Sequence, residues 1–317
     1  MSERNHHNRY KFLLALSLLL ACALAQACAP VHESQAPQNN QAVATREVTD
    51  EYGRRVRVPV RLERIITLAP NLTEIVYAVG AGERLVGNTT YCDYPPEARR
   101  VAKVGDTLHP NVEQIIALRP QLILISTASQ IEAFTRQLDE RGIAVYITDP
   151  RDLEGVFRSI KEIGELLGER ERAEKLIGDL RSRVAKIEET IGRQQPVRLF
   201  YQVSNEPLYT AGRESYITDL IRRAGGVSVT AEVPGAWPRY SKEAALAARP
   251  EAIVMATGDS MGADANAQIN AALKNSPAAI NGRVYAINGD YLSRPGPRLV
   301  DGLEQMARVL HPEAFTK

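Results

Sequence analysis

Cysteine, histidine and net charge are all scarce in this 317-residue sequence, and each shortage excludes something. There are three cysteines, Cys22, Cys28 and Cys92, two of them in the leading segment that ends at Cys28, so a disulfide framework cannot hold the fold. Of five histidines only His32, His109 and His311 lie beyond the first ten residues, too few and too scattered for a zinc site or a nucleophile with its base. No HExxH, Walker loop or GxSxG is present, and the reading is therefore not an enzyme. The formal charge is +1; the segment from Met1 to Ala27 carries Arg4, Arg9 and Lys11 against Glu3, which leaves −1 for the rest and no electrostatic case for nucleic acid. Tryptophan occurs once, at Trp237.

Long apolar runs are also missing, apart from Phe12 to Ala25. That run follows a basic terminus and is too short and too near the chain start for an ordinary spanning helix, so residues 1–27 read as an export signal. It ends in Leu24-Ala25-Gln26-Ala27-Cys28, which resembles a bacterial lipobox with Cys28 as the lipidated residue; Leu19-Leu20-Ala21-Cys22 offers Cys22 as an alternative, and Ala25-x-Ala27 would also suit ordinary secretion. With Cys28 lipidated, Cys92 is the sole free thiol. Residues 28–45 are polar and aperiodic, as expected of an anchor and flexible tether.

Beyond the tether the pattern is α/β. VTDEYGRRVRVP alternates around a glycine turn and predicts a hairpin, and Ile65 to Leu68 predicts a first core strand. Asn71 followed by Glu74 has capping-box spacing and predicts a helix start. In the segment from Glu171 to Gly192, Ala173, Leu176, Ile177, Leu180, Val184, Ile187 and Ile191 form one apolar stripe on an otherwise charged helix. At about 1.5 Å per residue it spans roughly 33 Å, enough to join two globular bodies.

Those two bodies share a motif. NVEQIIALRPQLILIST from Asn111 and SKEAALAARPEAIVMAT from Ser241 align without gaps, pairing Glu113 with Glu243, Arg119 with Arg249, Pro120 with Pro250 and Thr127 with Thr257. Each reads as helix, Arg-Pro break and buried parallel strand, with the residue before proline expected to be extended. The predicted organisation is an N-terminal lobe over 46–168, an interlobe helix over 169–193 and a C-terminal lobe over 194–317.

The segments RIITLAPNLTEIVYAVGAGERLVGNTTYCDYPPEA and VGDTLHPNVEQIIALRPQLILIS, with YTAGRESYITDLIRRAGG, AWPRYSKEAALAARPEAIV and INGDYLSRPGPRLVDGLEQMARVL, resemble the periplasmic binding proteins that deliver cobalamin and ferric siderophores to ABC importers, the cobalamin binders most of all. The likeness runs from about residue 47 to 312. It implies two Rossmann-like lobes joined by one long rigid helix, a ligand in the interlobe cleft, little closure on binding, an ABC permease as partner, and cobalamin as transported ligand with no resident cofactor. The chain is expected to act as a monomer. Carried over by position, Tyr91 matches a tyrosine that packs on the corrin, Trp237 a cleft tryptophan that could equally be a core plug, Tyr209 a second-lobe aromatic, and Tyr94 a further loop aromatic. Asp290 and Arg294 match polar pocket residues and could alternatively pair with each other, or Arg294 could meet siderophore oxygens. Glu74 and Glu214 match glutamates on the outer faces of the lobes that dock into the permease; for Glu74 this needs an exposed carboxylate. Where the cobalamin binders have a loop tryptophan this chain has Thr107, and the nearby His109 is a candidate axial cobalt ligand or simply a solvated loop residue. Ferric siderophore and haem remain sister ligands, and a chelatase-like cleft enzyme using Asp290 or His109 is the remote alternative.

Overall fold

The computed structural model describes residues 44–126, 135–138, 140–257 and 269–316, so Cys22, Cys28, His32 and Thr127 lie outside the described residues. An N-terminal hairpin pairs β1 (Thr45–Thr49) with β2 (Arg55–Pro59) antiparallel. The first lobe follows: β3 (Ile65–Thr67), α1 (Pro70–Ala78), β4 (Leu85–Asn88), α2 (Val112–Ala117), β5 (Leu122–Ser126) and β6 (Ala144–Thr148). Its four strands are all parallel in the order β4-β3-β5-β6. Alternate strand residues serve opposite faces: Ile65, Leu122 and Leu124 pack in the main core, while Ile66, Ile123 and Ile125 pack in a second cluster with Ile115 of α2.

Then come α3 (Leu153–Leu166) and α4 (Arg170–Ile191), the long helix foreseen from its stripe. Six of the seven stripe residues are buried and Leu176 is partly buried, packed against the same core. That core runs without interruption from Ile65 in the first lobe through Ile177, Leu180 and Val184 to Leu199 and Leu303 in the second. The charged faces add cross-links: Arg181 to Glu154 of α3 at 2.5 Å and Arg223 to Glu188 at 2.8 Å.

The second lobe comprises β7 (Val197–Ser204), β8 (Tyr209–Thr210), α5 (Tyr216–Arg223), β9 (Gly226–Ser228), α6 (Lys242–Ala247), β10 (Ala252–Thr257), α7 (Pro277–Ile280), β11 (Val284–Asn288), α8 (Gly289–Leu292) and α9 (Leu299–Leu310). Its parallel strands run β9-β7-β10-β11, the first lobe's order again, with β8 added antiparallel to β7. The sequence repeat is also a structural one. Asn111 Oδ1 accepts from Gln114 N at 3.0 Å to cap α2, and Ser241 Oγ accepts from Ala244 N at 3.1 Å to cap α6. Arg64 donates to the carbonyl of Leu118 and Arg198 to that of Ala248, carbonyls at matched positions of the two repeats.

Two local expectations are corrected. Arg119 and Arg249 are not extended; both have positive φ, +46° and +48°, because a left-handed residue lets each short helix close on itself before the proline starts the strand. The Asn71–Glu74 capping box is absent. Pro70, with φ fixed and no N–H to satisfy, starts α1 behind an extended Ala69, which leaves Asn71 inside the first turn. Its side-chain amide instead donates to Pro295 O across the lobes at 3.3 Å.

Candidate functional site

Between the lobes lies a cavity of about 820 Å³. Its walls come from the carboxyl ends of strands in both sheets: Ser126 ends β5, Asp149 follows β6, Val203 is near the end of β7 and Ala256 near the end of β10. Parallel sheets place their loops and ligand crevices at that end. The volume is at the upper end of those that enclose drug-sized ligands.

The second lobe supplies most of the wall. Trp237 is 42% exposed and meets Tyr216 edge to face, ring centroids 5.6 Å apart, so it is a cavity residue and not a core plug. Tyr216 is fixed by its hydroxyl, which donates to Leu292 O at 3.1 Å. Burial pushes the phenols of both Tyr216 and Tyr201 well above the ordinary tyrosine range, so they stay neutral. Glu214 also lines the cavity, and among the described residues nothing hydrogen-bonds or ion-pairs with its carboxylate.

The first lobe contributes Tyr52 from the tip of the hairpin, Ser126, and Asp149 with Arg151. Arg151 donates through Nε and Nη2 to Asp149 Oδ2 at 3.1 and 3.0 Å, which neutralises much of that wall. None of these was foreseen. Ser126 could have been found as the last residue of a core strand; Tyr52 and Arg151 carry no such local signal. The described lining holds no histidine or cysteine. Its chemistry is aromatic surface with a free acceptor and a paired cation.

Beside the cavity an ion network crosses from lobe to lobe. Glu74 of α1 is 3% exposed, and Arg298 grips it twice, Nε to Oε2 at 2.9 Å and Nη2 to Oε1 at 2.6 Å. Arg294 donates to Glu74 at 3.3 Å and Asp93 at 2.7 Å, and pairs with Asp290 at 2.6 Å. Burial alone would lower the Arg298 guanidinium, but the hydrogen bond and charge of Glu74 outweigh it and hold it above the usual arginine value. At Asp93 burial would raise the carboxyl, yet Arg294 wins and keeps it below the carboxylate range. Arg298 also stacks on Tyr94, 4.0 Å from the ring centroid.

The structure thus brings Trp237 to the cavity; Glu214, expected to dock the permease from the outer face of its lobe, lines the cavity instead, and the other candidates lie elsewhere. Asp290 and Arg294 satisfy each other within the network, the alternative open to them in sequence. Glu74 does not present an exposed carboxylate: it is buried between two arginines of the other lobe, so the surface docking role expected of it has no free group here. Tyr91, Tyr94 and Tyr209 are exposed but are not among the lining residues. His109 is a solvated loop residue whose Nδ1 lies 3.2 Å from Asp106 Oδ2, and no cluster of three or more metal-ligating side chains occurs among the described residues. Cys92 is a buried free thiol contacted by the Thr73 and Thr89 hydroxyls. No helix among the described residues is long and apolar enough to cross a membrane.

Comparison with known proteins agrees with this geometry. Residues 65–291 match the family described as periplasmic binding protein. An uncharacterized ABC transporter substrate-binding lipoprotein of Bacillus subtilis, YvrC, is 32% identical over 94% of this chain and 96% of its own. A vitamin B12-binding protein of Vibrio cholerae is 32% identical over 80% of this chain and 90% of its own. Among solved structures, the periplasmic vitamin B12-binding protein of Vibrio cholerae superposes with a TM-score of 0.70 at 31% identity, covering 81% of this chain and 99% of that one. The apo haem-binding protein RhuT from Roseiflexus gives 0.70 at 25% identity, covering 80% and 99%. Two like-ordered parallel sheets on one helix, a cleft at their strand ends and these likenesses lead to one conclusion: the chain belongs to the periplasmic binding protein family, whose members are binding proteins and not enzymes.

Proposed function

We propose that this chain is the substrate-binding lipoprotein of an ABC importer, exported and anchored through Cys28 or Cys22, that takes a corrinoid into the interlobe cavity as a monomer and delivers it to a membrane permease. The observation that carries the ligand is the carboxylate of Glu214, unpaired among the described residues, in the same cavity as Trp237. A corrin is a flat ring fringed with primary amides, which can donate to a free carboxylate while the ring packs on an indole. A haem, whose polar edge carries carboxylates, would meet like charge at Glu214 and must turn that edge toward Arg151. The B12-binding relatives support the same ordering.

The single tryptophan provides the test. Titration with cyanocobalamin, haem and ferric siderophores, following Trp237 fluorescence with free tryptophan as inner-filter control, is expected to give saturable one-to-one quenching by cobalamin that weakens in Glu214→Ala. Quenching by haem or a siderophore alone would keep the carrier and replace the ligand.

A further inference from the structure

The hairpin ahead of the first lobe has no counterpart among the described residues of the second. Its turn is densely tied. Asp50 is buried, and its Oδ1 accepts from Tyr52 N at 3.1 Å and Arg54 N at 2.9 Å while its Oδ2 accepts from Arg54 Nε at 2.9 Å. Gly53, with φ +75°, closes the turn. The turn is also fastened to the lobe from both sides. Arg54 Nη2 donates to Val145 O at 2.9 Å, and Glu51 N to Ile147 O at 3.1 Å. The Glu51 carboxylate accepts from the Ser159 hydroxyl and, at 2.6 Å, from Asp149 N. Asp149 is itself a cavity residue.

All of this fixes the backbone of Tyr52, whose own side chain gains nothing from it. The residue is 52% exposed and lines the cavity, and its side chain makes no hydrogen bond, ring contact or cation contact among the described residues. A large aromatic at a solvent-facing turn tip has no role in the turn, where small polar residues serve better. A rigid, unpartnered aromatic at a cavity mouth loses little entropy when a ligand covers it.

We propose that Tyr52 is a ligand-binding residue: the hairpin delivers it as the first lobe's aromatic wall, facing a flat conjugated ligand that Trp237 meets from the second lobe. The proposal rests on the carrier reading above and adds to it a first-lobe residue that touches the flat ligand opposite Trp237. It also assigns the hairpin, which the two-lobe architecture does not require, a part in recognition.

The test uses the full chain with cyanocobalamin and haem as separate probes, binding being read by equilibrium dialysis so that it does not depend on Trp237. Tyr52→Ala is expected to weaken binding of the preferred probe about tenfold, in line with the loss of one aromatic contact, and Tyr52→Phe to stay within about threefold of wild type. Thermal melting of both variants should match wild type, because the side chain is outside the core. Tyr52→Ala binding as tightly as wild type would overturn the proposal and leave the carrier reading intact. Binding of neither probe by a folded wild-type chain overturns the proposal together with the corrinoid reading of the ligand.

Discussion

Glu51 holds the hairpin at a cost. Burial pushes its carboxyl above the ordinary glutamate range, and neighbouring Glu162 adds to the rise, while Ser159 and the Asp149 amide pull the other way. A carboxyl raised in the folded state contributes stability that is fully present below its unfolded value and is lost as pH rises through its folded value. Glu51→Gln keeps an acceptor for the Asp149 amide and removes that loss. The variant is therefore expected to gain on wild type in urea midpoint between about pH 4 and pH 7; a gap that does not change with pH would refute this. Single residues were the least legible part of this chain. Trp237 could be placed because it is unique and sits in a family motif, but Glu74 carried capping-box spacing that Pro70 made irrelevant. Tyr52 could not be found at all, since its position depends on hydrogen bonds to Val145 and Ile147, which lie beyond most of the first lobe in sequence.

Elements fared better, because their signals are local. The stripe of α4 and the helix-proline-strand repeat are written in residue spacing, and the structure returns both, with caps and strands at matched positions of the two repeats. The exception lies at the joints. Sequence favours an extended residue before proline, yet Arg119 and Arg249 are both left-handed, because each closes a short helix before the proline starts the strand. A left-handed backbone costs a side-chain-bearing residue about 1–2 kcal/mol, and glycine gives back about 0.4–1 kcal/mol through its freer unfolded chain. Arg119→Gly and Arg249→Gly should thus each stabilise by about 0.5–1 kcal/mol in denaturant melts. Opposite signs at the two sites would mean that the repeats do not share this strain.

At the scale of the molecule, the lobes are joined by more than one helix. The core is continuous through α4, Asp219 of α5 accepts from Leu153 N at the start of α3 at 3.1 Å, and the Glu74 network closes the other flank. Partners as far apart as Glu74 and Arg298 left no trace in the sequence pattern. Removing one member of a buried ion pair strands the others, so Glu74→Ala is expected to lose about 3–5 kcal/mol of stability. The double variant Glu74→Ala/Arg298→Ala should lose less than the two single losses added, as contacting residues do in a cycle. A loss under about 1 kcal/mol in Glu74→Ala would show that the lobes do not lean on this contact. The hairpin has one more consequence. Strand β6 is the open edge of the first sheet and is buried along its whole length, and the groups covering its Val145 and Ile147 carbonyls belong to the hairpin. A chain clipped by a protease after Pro59 would bare an apolar edge that another copy could pair with, so the same segment that presents Tyr52 also guards the protein against aggregation.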